Sequence, residues 1–493
     1  MNVNGKRTCI FIATILAMAL GLRLFHLSQR VIWFDEANSL LIAQAAPAQI
    51  ANAVLDDTHS PFYYVALHYW QFLCHGEMGA RLLSVFAGAA TVLIVYFLGS
   101  ELVGCTAGLL SAALFSLCPL HIWYSQEIRM YALQTLLLSA SFLFMMLALR
   151  RERAVFWVVY NILTAMSLYT QYISIFAVIG QNIFVLIYYR KDHRRIRDWF
   201  LAQATMALLF APWLPGFLAQ MKIATSSTWS SPLEPKQVFG VLSLFSGAYV
   251  GDSRSRVISV LITIAVLVVV TVILVRRKES RPTVTLLLLW FALPIVLLIL
   301  QSLNQNRFLP RVLVCITPAF ALLLGCAAAQ ADKALARGIA AFAVIALIAS
   351  NAFALHNYYL SANAWVKSDL RESAIDLAKE FQTGDIIVHT SEFSYRPFEY
   401  YLGRDVAQGV VTPPQYLSHL FRVTGDGRLP ENAADFHRIW LVLYPDQFHP
   451  ERVQQTIDWM NQHHHLVRWN YSSGTVLIGL YERQGAQLVP AAK

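Results

Sequence analysis

Two adjacent carboxylates, Asp35 and Glu36, stand in the run Ile32-Trp33-Phe34-Asp35-Glu36-Ala37-Asn38-Ser39-Leu40. Acids among aromatic and aliphatic neighbours, just past a long apolar run, are costly and point to a functional site. The competing reading is a helix cap at the membrane surface. Further along, the run from His121 to Tyr131 sets the carboxylate of Glu127 and the guanidinium of Arg129 in a second apolar context. As a helix, it would carry Tyr124, Glu127 and Tyr131 on one face and Ser125 with Arg129 on another. The alternatives there are ordinary loop polarity or a pair that fixes helix packing. Arg307 and Arg311 flank a helix start in Asn304–Arg311, a setting that suits phosphate or arginines snorkelling to lipid headgroups. His59 stands just ahead of Ser60-Pro61, in the stretch that breaks the preceding helix.

The elements that must hold these residues are membrane helices. Of the 493 residues 57% are hydrophobic and 14% charged, with mean hydropathy +0.50, which excludes an ordinary soluble globular domain. A span needs roughly 20 apolar residues. Runs of that kind fall near 9–27, 82–99, 105–120, 131–149, 154–170, 172–189, 199–215, 257–275, 283–301, 312–329 and 338–355, eleven in all. No small-residue cleavage site follows the first, whose end reads Gly21-Leu22-Arg23, so it is expected to stay as an anchor. The six cysteines lie mostly inside apolar runs without metal-ligand spacing, so neither a disulfide framework nor a zinc site is expected.

The net charge of +9 is spread over short clusters between spans, which argues against nucleic acid as a partner. With the N-terminus cytoplasmic, the clusters at 6–7, 150–153, 190–197, 276–281 and 333–337 all fall on the inner side, as lipid-facing topology demands. Residues 28–81, 121–130, 216–256, 304–311 and the chain after about 356 then lie outside. In the first outer loop, Ile42, Ala46, Ile50 and Val54 predict one amphipathic helix over 41–57, and Pro61 starts a second, aromatic one. The 216–256 segment is either a loop folding over the substrate or a plain connector.

These motifs, taken in order, resemble a known family. Trp33-Phe34-Asp35-Glu36-Ala37, His59-Ser60-Pro61-Phe62-Tyr63-Tyr64, Arg81-Leu82-Leu83-Ser84, Tyr124-Ser125-Gln126-Glu127-Ile128-Arg129-Met130-Tyr131 and Pro310-Arg311-Val312-Leu313 are similar to motifs of the GT-C glycosyltransferases. Within that group the resemblance is to the bacterial family 39 type, related to protein O-mannosyltransferases and to the aminoarabinose transferase of lipid A. It departs at His59-Ser60-Pro61, where the family has His-Pro-Pro, and at Arg311-Val312-Leu313, where it has Arg-Tyr-Leu. The resemblance implies a sugar donor on a polyprenyl phosphate, a lipid, glycan or protein acceptor, and transfer on the outer face of the bacterial plasma membrane. It implies Asp35 as base and Glu36 as the acid that orients the loop or acceptor. Arg81, Arg129, Arg307 and Arg311 would offset the phosphate charge, with His59, Tyr124, Glu127 and Tyr131 along the sugar pocket. Direct attack would invert the anomeric centre, and no metal or other cofactor is expected.

The resulting expectation is a polytopic α-helical protein of GT-C fold. A transmembrane domain spans 1–356, and an extracytoplasmic α/β domain spans 357–493. In the latter, a helix near 369–381, a strand at 386–388, further strands at 439–443, 466–469 and 475–481, and a helix at 451–462 are predicted. His463-His464-His465 reads as a solvated helix end, and the domain carries no chemical motif; acceptor docking or substrate covering is its expected use. Two other function classes fit a polytopic chain: a lipid-linked polymer ligase or polymerase of GT-C type, and a transporter or flippase. The transporter lacks its usual inverted repeat.

Overall fold

The structure, a computed structural model, describes residues 3–55, 59–226, 234–246, 253–305, 308–360, 370–403, 405–410, 436–444, 450–472 and 476–483. The chain divides into two compact units, Met1–Ser28 with Thr58–Ala364 and Gln29–Asp57 with Trp365–Lys493. Hydropathy groups all of 28–81 with the spans, whereas compactness assigns its first half to the unit that contains the C-terminal sheet.

The first unit is helical. Among the described residues, eight helices are long and apolar enough to cross a membrane, from Gly5–Gln29 to Ala334–Leu360. The runs at 154–170 and 172–189 form the shorter apolar helices Ala154–Thr170 and Ser174–Tyr189. The run at 105–120 differs from a straight span: helices Cys105–Ser116 and Pro119–Ser125 meet at 65°. Pro119 opens the second helix and holds Cys118 extended at φ −69° and ψ 110°, because the proline ring forbids a helical residue before it. The link from His121 to Tyr131 is correspondingly buried throughout rather than a surface loop. Large apolar side chains such as Phe11, Leu208 and Phe342 face outward, as they do where lipid is the solvent. Where Cys105–Ser116 meets Thr317–Gln330 the backbones nearly touch; a Cβ on Gly325 would stand 2.6 Å from the amide nitrogen of Ser111.

The basic clusters are partly neutralised. Glu101 pairs with Arg150 at 3.2 Å and Arg151 at 3.1 Å, and Glu152 pairs with Arg194 at 2.9 Å and Arg195 at 2.7 Å. In the 216–256 segment, helix Pro235–Leu244 is closed by a capping box of Glu234 and Gln237; residues 227–233 and 247–252 lie outside the described residues.

The second unit is a five-stranded mixed sheet with helices on both faces. Its strands are β1 (Ile386–His389), β2 (Gln408–Val410), β3 (Arg438–Leu443), β4 (His464–Ser472) and β5 (Val476–Arg483), in the order β2-β1-β3-β5-β4. β1 runs parallel to β2 and β3, and β5 antiparallel to β3 and β4. Alternation along β1 sends Ile387 to one core with Leu377, Phe398 and Trp440, and Ile386 with Val388 to another with Met460 and Tyr481. The predicted 369–381 helix is Leu370–Glu380, with Leu370, Ser373, Ala374 and Leu377 on its buried face. The sequence reading missed helix Glu392–Leu402, which holds Pro397 internally, and the short edge strand β2. His464 corrects the solvated-end expectation: it is buried, its Nε2 3.2 Å from the Phe436 carbonyl oxygen.

In the same unit, the single amphipathic helix predicted over 41–57 is two helices, Phe34–Ala43 and Pro47–Ala53. Pro47 opens the second, because its fixed φ suits a first turn and not a helix interior.

Candidate active site

Asp35 and Glu36 occupy the first turn of helix Phe34–Ala43, where the N-cap residue is Trp33 and makes no side-chain cap. Carboxylates there meet the positive end of the helix dipole. Consecutive residues point about 100° apart, and the two acids differ accordingly: Asp35 is part-exposed, whereas Glu36 is 1% exposed.

The cations belong to the other unit. Arg81, on helix Gly76–Leu102, is fully buried with Glu77 one turn back at 3.8 Å. Ser84, one turn on from Arg81, donates from Oγ to the backbone oxygen of Arg129 at 3.3 Å, so both arginines attach to the same part of that helix. Arg129 is 2% exposed and its Nη2 lies 2.7 Å from His59 Nε2. The His59 carbonyl accepts from Gln220 at 3.0 Å, Gln220 accepts from Tyr172 at 2.5 Å, and Tyr172 accepts from Trp213 at 2.7 Å. Glu127, equally buried, accepts from Trp123 Nε1 at 2.8 Å. The chain from Gln126 to Met130 is not helical, yet the rings of Tyr124 and Tyr131 meet edge-on at 4.8 Å. Arg311 sits on the 3₁₀ helix Pro310–Ile316, which packs on helix Tyr131–Arg151. Arg307 lies outside the described residues.

A further set of residues holds this loop and went unnoticed in the sequence. Gln126 donates to the carbonyls of Arg23 and Phe25, each at 2.9 Å, and accepts from Tyr358 at 2.7 Å. Arg23, fully buried, donates to Ala19 O at 3.0 Å, to Ser125 Oγ at 3.3 Å and to His121 Nδ1 at 3.1 Å. The only available signal was an arginine and a histidine inside apolar runs, which hydropathy treats as noise.

Chemically, the first unit offers buried guanidiniums, the strongest protein partners of phosphate when water is excluded. The second offers a part-exposed acid beside a buried one. Among the described residues no group of three or more His, Cys, Asp or Glu side chains is gathered to hold a metal ion.

Residues 59–215 match the family described as dolichyl-phosphate-mannose-protein mannosyltransferase. No curated protein sequence matches the chain. Among solved structures, ArnT from Cupriavidus metallidurans in the apo state is similar at 12% identity and TM-score 0.66, over 97% of this chain and 98% of that one. The same protein bound to undecaprenyl phosphate is similar at 12% identity and TM-score 0.63, over 96% and 97%. The oligosaccharyltransferase AglB from Archaeoglobus fulgidus, in complex with an inhibitory peptide and a dolichol-phosphate, is similar at 12% identity and TM-score 0.58, over 99% of this chain and 76% of that one. Helical bundle, mixed-sheet unit and structural likeness converge: the chain is a multi-pass membrane protein of GT-C fold, and its residues 59–215 match the mannosyltransferase family.

Proposed function

We propose that the enzyme moves a sugar from a polyprenyl-phosphate donor to a lipid, glycan or protein acceptor on the outer face of the bacterial plasma membrane, with the N-terminus cytoplasmic. The observation that carries this reading is the buried Arg129 guanidinium, tied to His59 at 2.7 Å, with the Arg129 backbone oxygen held by Ser84, one turn on from Arg81. A polyprenyl tail stays in lipid and brings its phosphate to the depth where such a cation is worth most. In support, the similar ArnT holds undecaprenyl phosphate and the similar AglB a dolichol-phosphate.

The acceptor hydroxyl or amine attacks the anomeric carbon as the bond from that carbon to the phosphate oxygen breaks. Its proton passes to the Asp35 carboxylate, and polyprenyl phosphate leaves with the bonding electron pair. One displacement inverts the anomeric centre. Phosphate departs without protonation, so a single base suffices where a glycoside hydrolase needs two carboxyl groups. Arg81, Arg129, Arg307 and Arg311 offset the charge growing on the leaving phosphate; Glu36 holds the acid helix, and His59, Tyr124, Glu127 and Tyr131 line the sugar side.

The test compares purified wild type with Asp35→Asn for release of polyprenyl phosphate from a panel of polyprenyl-phosphate sugars, with membrane extract as acceptor. Turnover with one donor, reduced by about 10²- to 10⁴-fold in the variant, supports the reading. Equal turnover in the variant removes Asp35 as base; no turnover with any donor removes the reaction class.

A further inference from the structure

The sheet-bearing unit has no motif of its own, yet it contains the helix with the acid pair. Helix Glu392–Leu402 lies between that helix and the sheet. Its Phe398 is fully buried in the core with Ile387 and Trp440. Its Phe393 meets Phe34, the residue before Asp35, with ring centroids 5.3 Å apart at 69°. The two helices pack along one another. Arg371, at the start of helix Leu370–Glu380, donates to the carbonyl oxygen of Arg30 at 3.0 Å and so ties down the segment leading into the acid helix.

On helix Glu392–Leu402, Arg396 stands about 160° around from Phe398 and about 60° from Phe393 at 100° per residue. It is therefore on the side turned to the acid helix and away from the sheet. There it is 6% exposed and donates to Glu399, 9% exposed, at 2.5 Å. Glu36, 1% exposed, lies in the first turn of the acid helix. Ions this deeply buried hold their positions only while every charge is matched, since loss of one partner leaves another uncompensated.

We infer that the α/β domain is the mount of the acid pair, with Arg396 as the positioning residue that sets the orientation of helix Phe34–Ala43. The inference rests on the reading of Asp35 as base. Arg396 touches no reacting atom; it acts through the helix. A catalytic group displaced by about 1 Å loses on the order of 10²-fold in rate, and binding of the donor phosphate by the other unit's arginines is left alone. The domain is thus a working part of the transferase rather than a cover over it.

The experiment measures kcat and donor KM for the full-length enzyme with Arg396→Met, Arg396→Lys and Asp35→Asn side by side. Arg396→Met is expected to lower kcat by about 10- to 100-fold with donor KM changed less than about twofold, and Arg396→Lys to recover part of the loss. Where Arg396→Met alone does not fold, Arg396→Met with Glu399→Gln removes both buried charges and takes its place. A folded variant with wild-type kcat, or with KM alone raised, overturns the inference if Asp35→Asn is inactive. Full activity in Asp35→Asn instead overturns the base assignment on which it rests.

Discussion

The Nε2 atom of His59 lies 2.7 Å from Nη2 of Arg129, across 70 residues of sequence. A guanidinium nitrogen only donates, so Nε2 accepts and the imidazole proton of this contact is on Nδ1. The pair therefore aims a fixed cation, with its orientation set from the side. Arg129→Met should lower turnover by about 10²- to 10³-fold and His59→Phe by less. Because the two act as a unit, the double variant should be little worse than Arg129→Met alone. Steady-state release of polyprenyl phosphate from the four proteins checks this.

Gln126 joins three distant segments by accepting from Tyr358 and donating to the carbonyls of Arg23 and Phe25. Its loss leaves a buried hydroxyl and two carbonyls poorly satisfied. Gln126→Ala should destabilise the protein by about 1–3 kcal/mol and Tyr358→Phe by about 1 kcal/mol. Thermal unfolding in one detergent reads both, and the order of the two variants is the point of the test.

The contact of Gly325 with Ser111 is backbone against backbone, with 2.6 Å from an added Cβ to the Ser111 nitrogen. Small residues allow this approach between membrane helices; the Ser111 hydroxyl is nearest and could turn aside, but the Ser111 amide nitrogen and Cα behind it cannot. Gly325→Ala should cost about 1–3 kcal/mol through forced separation of the helices. A lowered melting temperature checks it, and Ser111→Gly in the same background should not restore it, because the clash is with the main chain.

His389 is fully buried between Ser394 Oγ at 3.0 Å and Gln408 Oε1 at 3.3 Å. Burial pushes its imidazole from 6.5 down to about 3. The folded state keeps the ring neutral, so its contribution is fully present above about pH 6.5, where neither state is protonated. It is lost progressively as pH falls from 6.5 toward 3, because there the unfolded chain binds a proton that the folded one refuses. The sheet unit should weaken across this window by on the order of a few kcal/mol. Tryptophan fluorescence melts against pH, compared with His389→Gln, should show a flatter acid limb in the variant.

Much of the architecture was legible because its signals are local. A run of some 20 apolar residues is a membrane helix whatever surrounds it, and Thr383-Gly384-Asp385 ahead of Ile386-Ile387-Val388 announces a turn into a doubly buried strand, with Gly384 at φ +95°. Local signals also mislead. Pro397 looks like a breaker, and it hid helix Glu392–Leu402, whose formation depends on Phe398 packing into the sheet core. The span at 105–120 looked continuous because hydropathy averages over the proline that bends it.

Hydropathy and residue type were sufficient for most of the membrane helices, for four of the five strands of the sheet and for naming Asp35, Glu36, Glu127 and Arg129 as unusual, since each depends on a short window of chain. The company those residues keep was not available in that window. That Gln126 clasps Arg23 and Tyr358, that His59 meets Arg129, and that the acid helix shares a compact unit with a sheet more than 300 residues later in the chain are all contacts between remote segments. Such contacts are chosen by the folded packing, which must find a donor or acceptor for every buried polar group, and no single stretch of sequence carries the address of its partner.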